Sequence, residues 1–156
     1  MNAISRFACP TRLVFGVDAH RQLPTLVSAG GAQRLFLAVD PALFDSEITR
    51  AIQDQLQAHG IVLEIFSNIQ PDPDDLTVAA AHARCVAHGS QAILAIGGGS
   101  TIDVAKAVAI LMTNGGAISD YEGVEKFSVA PLPLFAVPTT AGTGSEVSGA
   151  CVITDT

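Results

Sequence analysis

Apolar residues fall into short unbroken runs that alternate with longer stretches where they recur every three or four positions. The runs read as strands covered on both faces, and the periodic stretches as helices with one buried side. Residues 34–39 (RLFLAV), 61–66 (IVLEIF), 91–96 (QAILAI) and 134–137 (LFAV) are the strand runs. Two shorter β-rich runs, 12–16 (RLVFG) and 149–154 (GACVIT), are also expected to be strands.

Four helical patterns lie between them. Residues 19–29 place Leu23, Leu26 and Val27 on one face, with Pro24 in the first turn and Gly30-Gly31 as the stop. In 45–59, Ile48, Ile52 and Leu56 recur every four residues before Gly60. A Pro/Asp-rich loop, 70–75, leads into a helix over 76–88 that closes at Gly89. The last helix is expected over 101–112, before Asn114-Gly115-Gly116. Strands alternating with helices build βαβ units. Right-handed crossovers then place helices on both faces of the sheet. The expected fold is α/β, a Rossmann-like parallel sheet with helices on both faces, as a single domain over residues 1–156.

Composition narrows the function classes. The chain has 156 residues, 49% apolar and 15% charged, which excludes a disordered chain and suits one domain with its own core. A net charge of −7 argues against a nucleic-acid partner, since phosphate-backbone binding uses clustered Lys and Arg. It leaves a nucleotide open, because backbone N–H groups at a helix start hold phosphate without side-chain cations. Cys9, Cys85 and Cys151 are odd in number, widely spaced and form no CxxC. They read as buried thiols of a reducing, cytoplasmic compartment. Residues 1–10 lack a basic stretch followed by an apolar run, and no apolar stretch reaches transmembrane length. Neither a signal peptide nor a membrane partner is expected. His20, His59, His82 and His88 lie on or at the ends of surface-type helices, away from carboxylates at metal-ligating spacing. They are expected to face solvent, and no metal site is expected.

The candidate chemistry sits at strand ends. Gly97-Gly98-Gly99-Ser100-Thr101-Ile102-Asp103 joins an apolar strand to a helix, where an open α/β sheet places its ligand. Three glycines remove every Cβ and let a diphosphate approach the backbone, and the helix start offers free amides and a positive dipole end. Ser100 and Asp103 are also spaced as a capping box, which leaves Asp103 with two readings, a cap or a phosphate neighbour. The stretch is neither GxxxxGK[ST] nor GxGxxG, and Lys106 lies a full turn into the helix, so a Walker-type NTPase is not expected.

A second turn, Pro138-Thr139-Thr140-Ala141-Gly142-Thr143-Gly144-Ser145-Glu146, is rich in small residues and hydroxyls. It can wrap a ligand with backbone donors and short O–H groups, or simply connect two elements. Both turns follow parallel-type strands and would emerge at one sheet edge. Asp40 ends the strand 34–39. A carboxylate there accepts both hydroxyls of an adenosine ribose and repels a 2′-phosphate, favouring NAD over NADP. A turn or N-cap role before Pro41 is the alternative.

GGGSTIDVAKA (Gly97–Ala107) together with PTTAGTGSEVS (Pro138–Ser148) resembles the iron-containing, group III alcohol dehydrogenases. Phe15-Gly16, Asp40-Pro41, Pro71-x-Pro73 and Val152-Ile153-Thr154-Asp155 fall in that family's order, so the resemblance covers nearly the whole chain. It implies an NAD(P)-dependent oxidoreductase that interconverts small primary alcohols or diols and aldehydes by hydride transfer, with this chain as its dinucleotide-binding domain. By the same resemblance Gly98, Gly99 and Ser100 contact the pyrophosphate, with Asp103 close by. Thr139, Thr140 and Thr143 line the cofactor cleft, Val152 sits near the nicotinamide and Asp40 binds the ribose. The family's metal, Fe2+ or Zn2+, is implied only for a full-length member. One Asp and several His of a C-terminal all-helical domain, absent from these 156 residues, would hold it.

The chain alone is therefore expected to bind cofactor without turnover, and no catalytic residue is assigned. Glu146 and Asp155 are available carboxylates that nothing marks as acid or base. Loss of a covering domain would expose apolar surface, so a homo-oligomer is expected. Two departures from the family pattern stand out. Gly16-Val17-Asp18 lacks a second glycine, and Asp72 stands where Asn is expected between the prolines. A free-standing nucleotide-binding module without redox activity is the alternative function.

Overall fold

Five of the six positions of β1 (Arg34–Val39) and all six of β3 (Ala92–Gly97) are buried, which makes these the central strands. β2 (Val62–Phe66) and β4 (Leu134–Pro138) flank them and are only half-covered. The computed structural model describes residues 11–123 and 126–156. The expectations for residues 1–10, including Cys9, lie outside the described residues. All three strand pairings are parallel, and the sheet order is β2-β1-β3-β4.

Side chains alternate across the sheet with the two-residue period of a strand. Leu35, Leu37, Val39, Leu94 and Ile96 pack on one face, against Leu23 and Val27 of α1 (Leu23–Ala29) and Ile52 and Leu56 of α2 (Glu47–Ala58). Phe36, Ala38, Ile93 and Ala95 pack on the other face. Their partners are Val78, Ala81 and Cys85 of α3 (Asp75–His88) and Ile102, Ala105 and Val108 of α4 (Gly99–Asn114). The expected α/β arrangement with helices on both faces is the observed one.

Local chemistry sets the helix ends. The Ser46 hydroxyl accepts from Thr49 N–H at the start of α2, and the Asp74 carboxylate accepts from Thr77 N–H at the start of α3. The hydrogen bonds from Thr77 hold the Asp74 carboxyl below its ordinary pKa. Gly89 closes α3 in the left-handed region, at φ 68°.

Four sequence expectations need correction. Residues 12–16 form no strand; Phe15 is fully exposed and no described strand pairs with this run. Among the described residues, 149–154 make only one isolated bridge, Thr154 to Asp74. Their ladder groups are occupied elsewhere: Ala150 C=O and Val152 N–H bond to side chains of α4. The first helix divides into a 3-10 turn, Ala19–Gln22, and α1, with Pro24 in the first turn of α1 as expected. α4 begins at Gly99, inside the glycine run.

The chain steps from β1 to β2 in one direction and from β3 to β4 in the other. The reversal lies between β1 and β3, where open α/β sheets hold ligands beyond the strands' carboxyl ends. No helix among the described residues is long and apolar enough to cross a membrane.

Candidate functional site

The carboxyl ends of β1 and β3, with the loop after β2 and the turn after β4, enclose a crevice of about 370 Å³. Asp40, Gly98, Gly99, Ser100 and Thr140 line it, as do Gln70 and its neighbours. Pro71 belongs to the Pro71-x-Pro73 pattern, whereas Ile69 and Gln70 are in no motif. The available signal was that β2 ends at the same sheet edge.

The two glycine-rich turns pack on each other. A Cβ on Gly98 would stand 2.9 Å from Thr140 Oγ1, and one on Gly99 would stand 3.3 Å from Ser145 Oγ and 3.4 Å from Thr143 Cβ. The glycines thus admit the second turn as well as opening the crevice. Thr139 N–H donates to Gly97 C=O at 3.0 Å and ties that turn to the end of β3. Thr139 and Thr143 do not line the crevice themselves; Thr143 Oγ1 accepts from Ser145 N–H at 3.4 Å.

α4 has Gly98 as its N-cap, and no side chain caps it. Its first intrahelical bond runs from Ile102 N–H to Gly98 C=O, 3.1 Å. The amides of Gly99, Ser100 and Thr101 precede that bond and are the ones a helix start leaves open to an anion. The capping-box reading of Ser100 and Asp103 is therefore corrected. With the helix starting earlier, Asp103 lies beyond the first turn and reaches away from Ser100. Its Oδ2 accepts from Val152 N–H at 3.1 Å. Its Oδ1 is buried without a hydrogen bond, 3.8 Å from Lys106 Nζ.

Lys106 Nζ donates to Ala150 C=O at 2.7 Å and to Ser148 Oγ at 3.1 Å. Burial lowers its pKa, with Asp103 opposing that shift. Cys151 beside this pair is pushed up, first by burial and then by Asp103. Asp103 thus sits behind the crevice, while Val152 is exposed and lines no part of it.

Asp40 does cap the short turn Pro41–Leu43, through Oδ1 and Ala42 N–H at 2.9 Å, and it lines the crevice at the same time. The two sequence departures share a backbone property. Asp18 (φ 58°) and Asp72 (φ 50°) are the non-glycine residues with positive φ among those described. Asn, Asp and Gly tolerate that region best.

A larger cavity of about 770 Å³ lies beside edge strand β4. Phe15, Leu26, Ile110 and Phe135 line it with Lys106 and Glu146. Glu146 Oε2 is buried without a partner in its wall. The histidines depart from the solvent-facing expectation: only His59 is exposed, and His20, His82 and His88 are half-buried. His88 Nδ1 lies 2.7 Å from Ser90 Oγ, and burial lowers the pKa of both His82 and His88.

The iron-containing alcohol dehydrogenase family matches residues 10–156 of this chain. Alcohol dehydrogenase 4 of Saccharomyces cerevisiae (strain YJM789) is 34% identical over 155 residues, 99% of this chain and 41% of that protein. The NAD-dependent methanol dehydrogenase of Bacillus methanolicus is 34% identical over 152 residues, 97% of this chain and 40% of that protein. The crystal structure of sulfoacetaldehyde reductase from Bifidobacterium kashiwanohense in complex with NAD+ superposes with a TM-score of 0.89 at 31% identity, covering 99% of this chain and 41% of that one. The chain therefore spans about 40% of the length of the relatives it matches.

Proposed function

Because the chain belongs to the iron-containing alcohol dehydrogenase family, we propose that it binds NAD in the crevice between the ends of β1 and β3. It would thereby serve an enzyme that interconverts small primary alcohols or diols with aldehydes. The observation that carries this reading is the meeting of Asp40, the Gly98–Ser100 backbone and Thr140 around one crevice. A methyl group on Gly98 or Gly99 would crowd the second turn, so the glycines keep a backbone surface that a diphosphate can approach.

In this reading the amides of Gly98, Gly99 and Ser100 hold the pyrophosphate at the start of α4. Asp40 accepts the ribose hydroxyls, and its charge repels a 2′-phosphate, favouring NAD over NADP. Thr140 lines the cleft directly, Thr139 and Thr143 shape the turn that carries it, and Val152 approaches the nicotinamide side. When bound, the cofactor supplies the hydride acceptor or donor. This chain's own residues bind and orient it.

The NAD-dependent methanol dehydrogenase and the NAD+-bound sulfoacetaldehyde reductase support the cofactor choice. Iron does not fit the residues at hand: among the described residues, no group of three or more His, Cys, Asp or Glu is placed to hold a metal ion. This chain alone is proposed to bind cofactor without turnover.

Titration with NADH, followed by cofactor fluorescence, is expected to saturate while alcohol oxidation stays undetectable. Absence of binding at millimolar NADH would overturn the reading, and so would metal-dependent turnover by the 156-residue chain. Exposed Leu13, Phe15 and Val17 support a homo-oligomer, which light scattering would test against a clean monomer. The free thiols of Cys85 and Cys151 support a reducing, cytoplasmic setting.

A further inference from the structure

We infer that Asp103 and Lys106 are positioning residues, which pin segment 148–152 to α4 and so hold the second turn against the glycine turn. The inference rests on the NAD-binding reading above.

Charged side chains are seldom buried unless they are paired. Those of Asp103 and Lys106 keep only 11% and 13% of their surface, so this pair needs an account. Neither residue lines the crevice between β1 and β3. Their hydrogen bonds go to the chain beyond the second turn instead: Asp103 Oδ2 to Val152 N–H, and Lys106 Nζ to Ala150 C=O and Ser148 Oγ. An ammonium has three donors. Two serve segment 148–152, and Asp103 Oδ1 stands 3.8 Å away as an ion pair without a hydrogen bond.

The segment's other attachments are Cys151, partly buried against the core, and Ser148 N–H, which bonds back to Gly144 C=O within the turn. Ala150 and Val152 are exposed, and the first ladder-type contact comes later, at Thr154. The near end of the turn is tied by Thr139 N–H to Gly97 C=O. Its middle rests on Gly99 through Thr143 and Ser145. Asp103 and Lys106 supply the far anchor. All three attachments lie on the β3–α4 unit that also carries the proposed pyrophosphate amides. The turn and those amides are thereby held as one body, and less ordering is left for the moment of binding.

The test compares wild type with Lys106→Met, Asp103→Ala and Ser148→Ala. The last variant removes one acceptor on an exposed residue and leaves the core of α4 intact. NADH affinity is read by fluorescence titration, and amide hydrogen exchange is read without ligand. The first two variants are expected to weaken NADH at least ten-fold, and Ser148→Ala by two- to five-fold. In each, ligand-free exchange should speed up across 139–152 while the amides of 104–110 keep their protection.

Weaker NADH binding with unchanged exchange across 139–152 would make these residues ligand contacts and overturn the inference. Wild-type values on both measurements would overturn it too. If wild type binds no NADH, the NAD-binding reading fails first. The exchange data then show separately whether the anchor exists. Should the α4 variants fail to fold, wild-type exchange and affinity in Ser148→Ala would still refute the anchor.

Discussion

Asp40 and Gly97 lock the ends of neighbouring strands together: a Cβ on Gly97 would stand 3.0 Å from Asp40 Cβ and 2.8 Å from Thr101 Cβ. Asp40 N–H donates to Ile96 C=O at 2.9 Å, so the backbone is held as well. Gly97→Ala is therefore expected to cost about 1–3 kcal/mol in urea unfolding, because besides the Thr101 hydroxyl at 2.5 Å it meets the β-carbons of Thr101 and Asp40, which no side-chain rotation moves away. Gly98→Ala should cost less, since the nearest atom is the rotatable Thr140 hydroxyl. It should nevertheless weaken NADH binding, because the methyl group crowds the crevice. A wild-type urea midpoint for Gly97→Ala would refute the strand-end packing.

Asp40 has two tasks that one substitution separates. Its Oδ1 caps the turn at Ala42, and its charge is proposed to reject a 2′-phosphate. Serine also caps, so Asp40→Ser should leave stability within about 1 kcal/mol. It is expected to lower the preference for NADH over NADPH at least ten-fold, as read by parallel titrations. An unchanged ratio would remove Asp40 from cofactor selection.

The left-handed backbone at Asp72, φ 50°, explains why a short polar residue sits between Pro71 and Pro73. Asp72→Val is expected to lose about 1–2 kcal/mol through steric strain. Asp72→Gly and Asp72→Asn should hold wild-type stability. If Asp72→Asn instead tightens NADH binding while the melting temperature stays put, position 72 has a cofactor role beyond its backbone.

Burial raises the Cys85 thiol to about 11 from an ordinary 9.0. The folded state then keeps its proton where the unfolded chain has released it. Stability should therefore fall as pH rises from 9 toward 11. Cys85→Ala is expected to flatten that part of the stability–pH curve, as measured by urea unfolding at each pH. In the native protein Cys85 should resist alkylation at pH 8, because the thiolate is the nucleophile.

Much of the scaffold was legible because burial leaves a local trace. The run RLFLAV is continuous since β1 is covered on both faces, and its limits match the observed strand. The glycine turns stood out because few reasons other than close approach place three glycines in a row. The end segments 12–16 and 149–154 misled because apolar, β-branched residues report strand propensity, and a strand also needs a partner ladder. Asp103 misled because its spacing from Ser100 fits a cap. Its real partner, Val152 N–H, lies 49 residues away.

The order of apolar runs, periodic stretches and glycine turns determined, from sequence alone, a doubly covered parallel sheet with its glycine-rich turns at the strand ends. Those features depend on which face of each element meets solvent, and residue spacing records that. Only the tertiary structure decided that the second turn rests on the glycines of the first. It also decided that Asp103 and Lys106 serve segment 148–152, and that Asp40 caps its own turn while lining the crevice. Those relationships join residues far apart in the chain, and their geometry is set when the helices pack on the sheet.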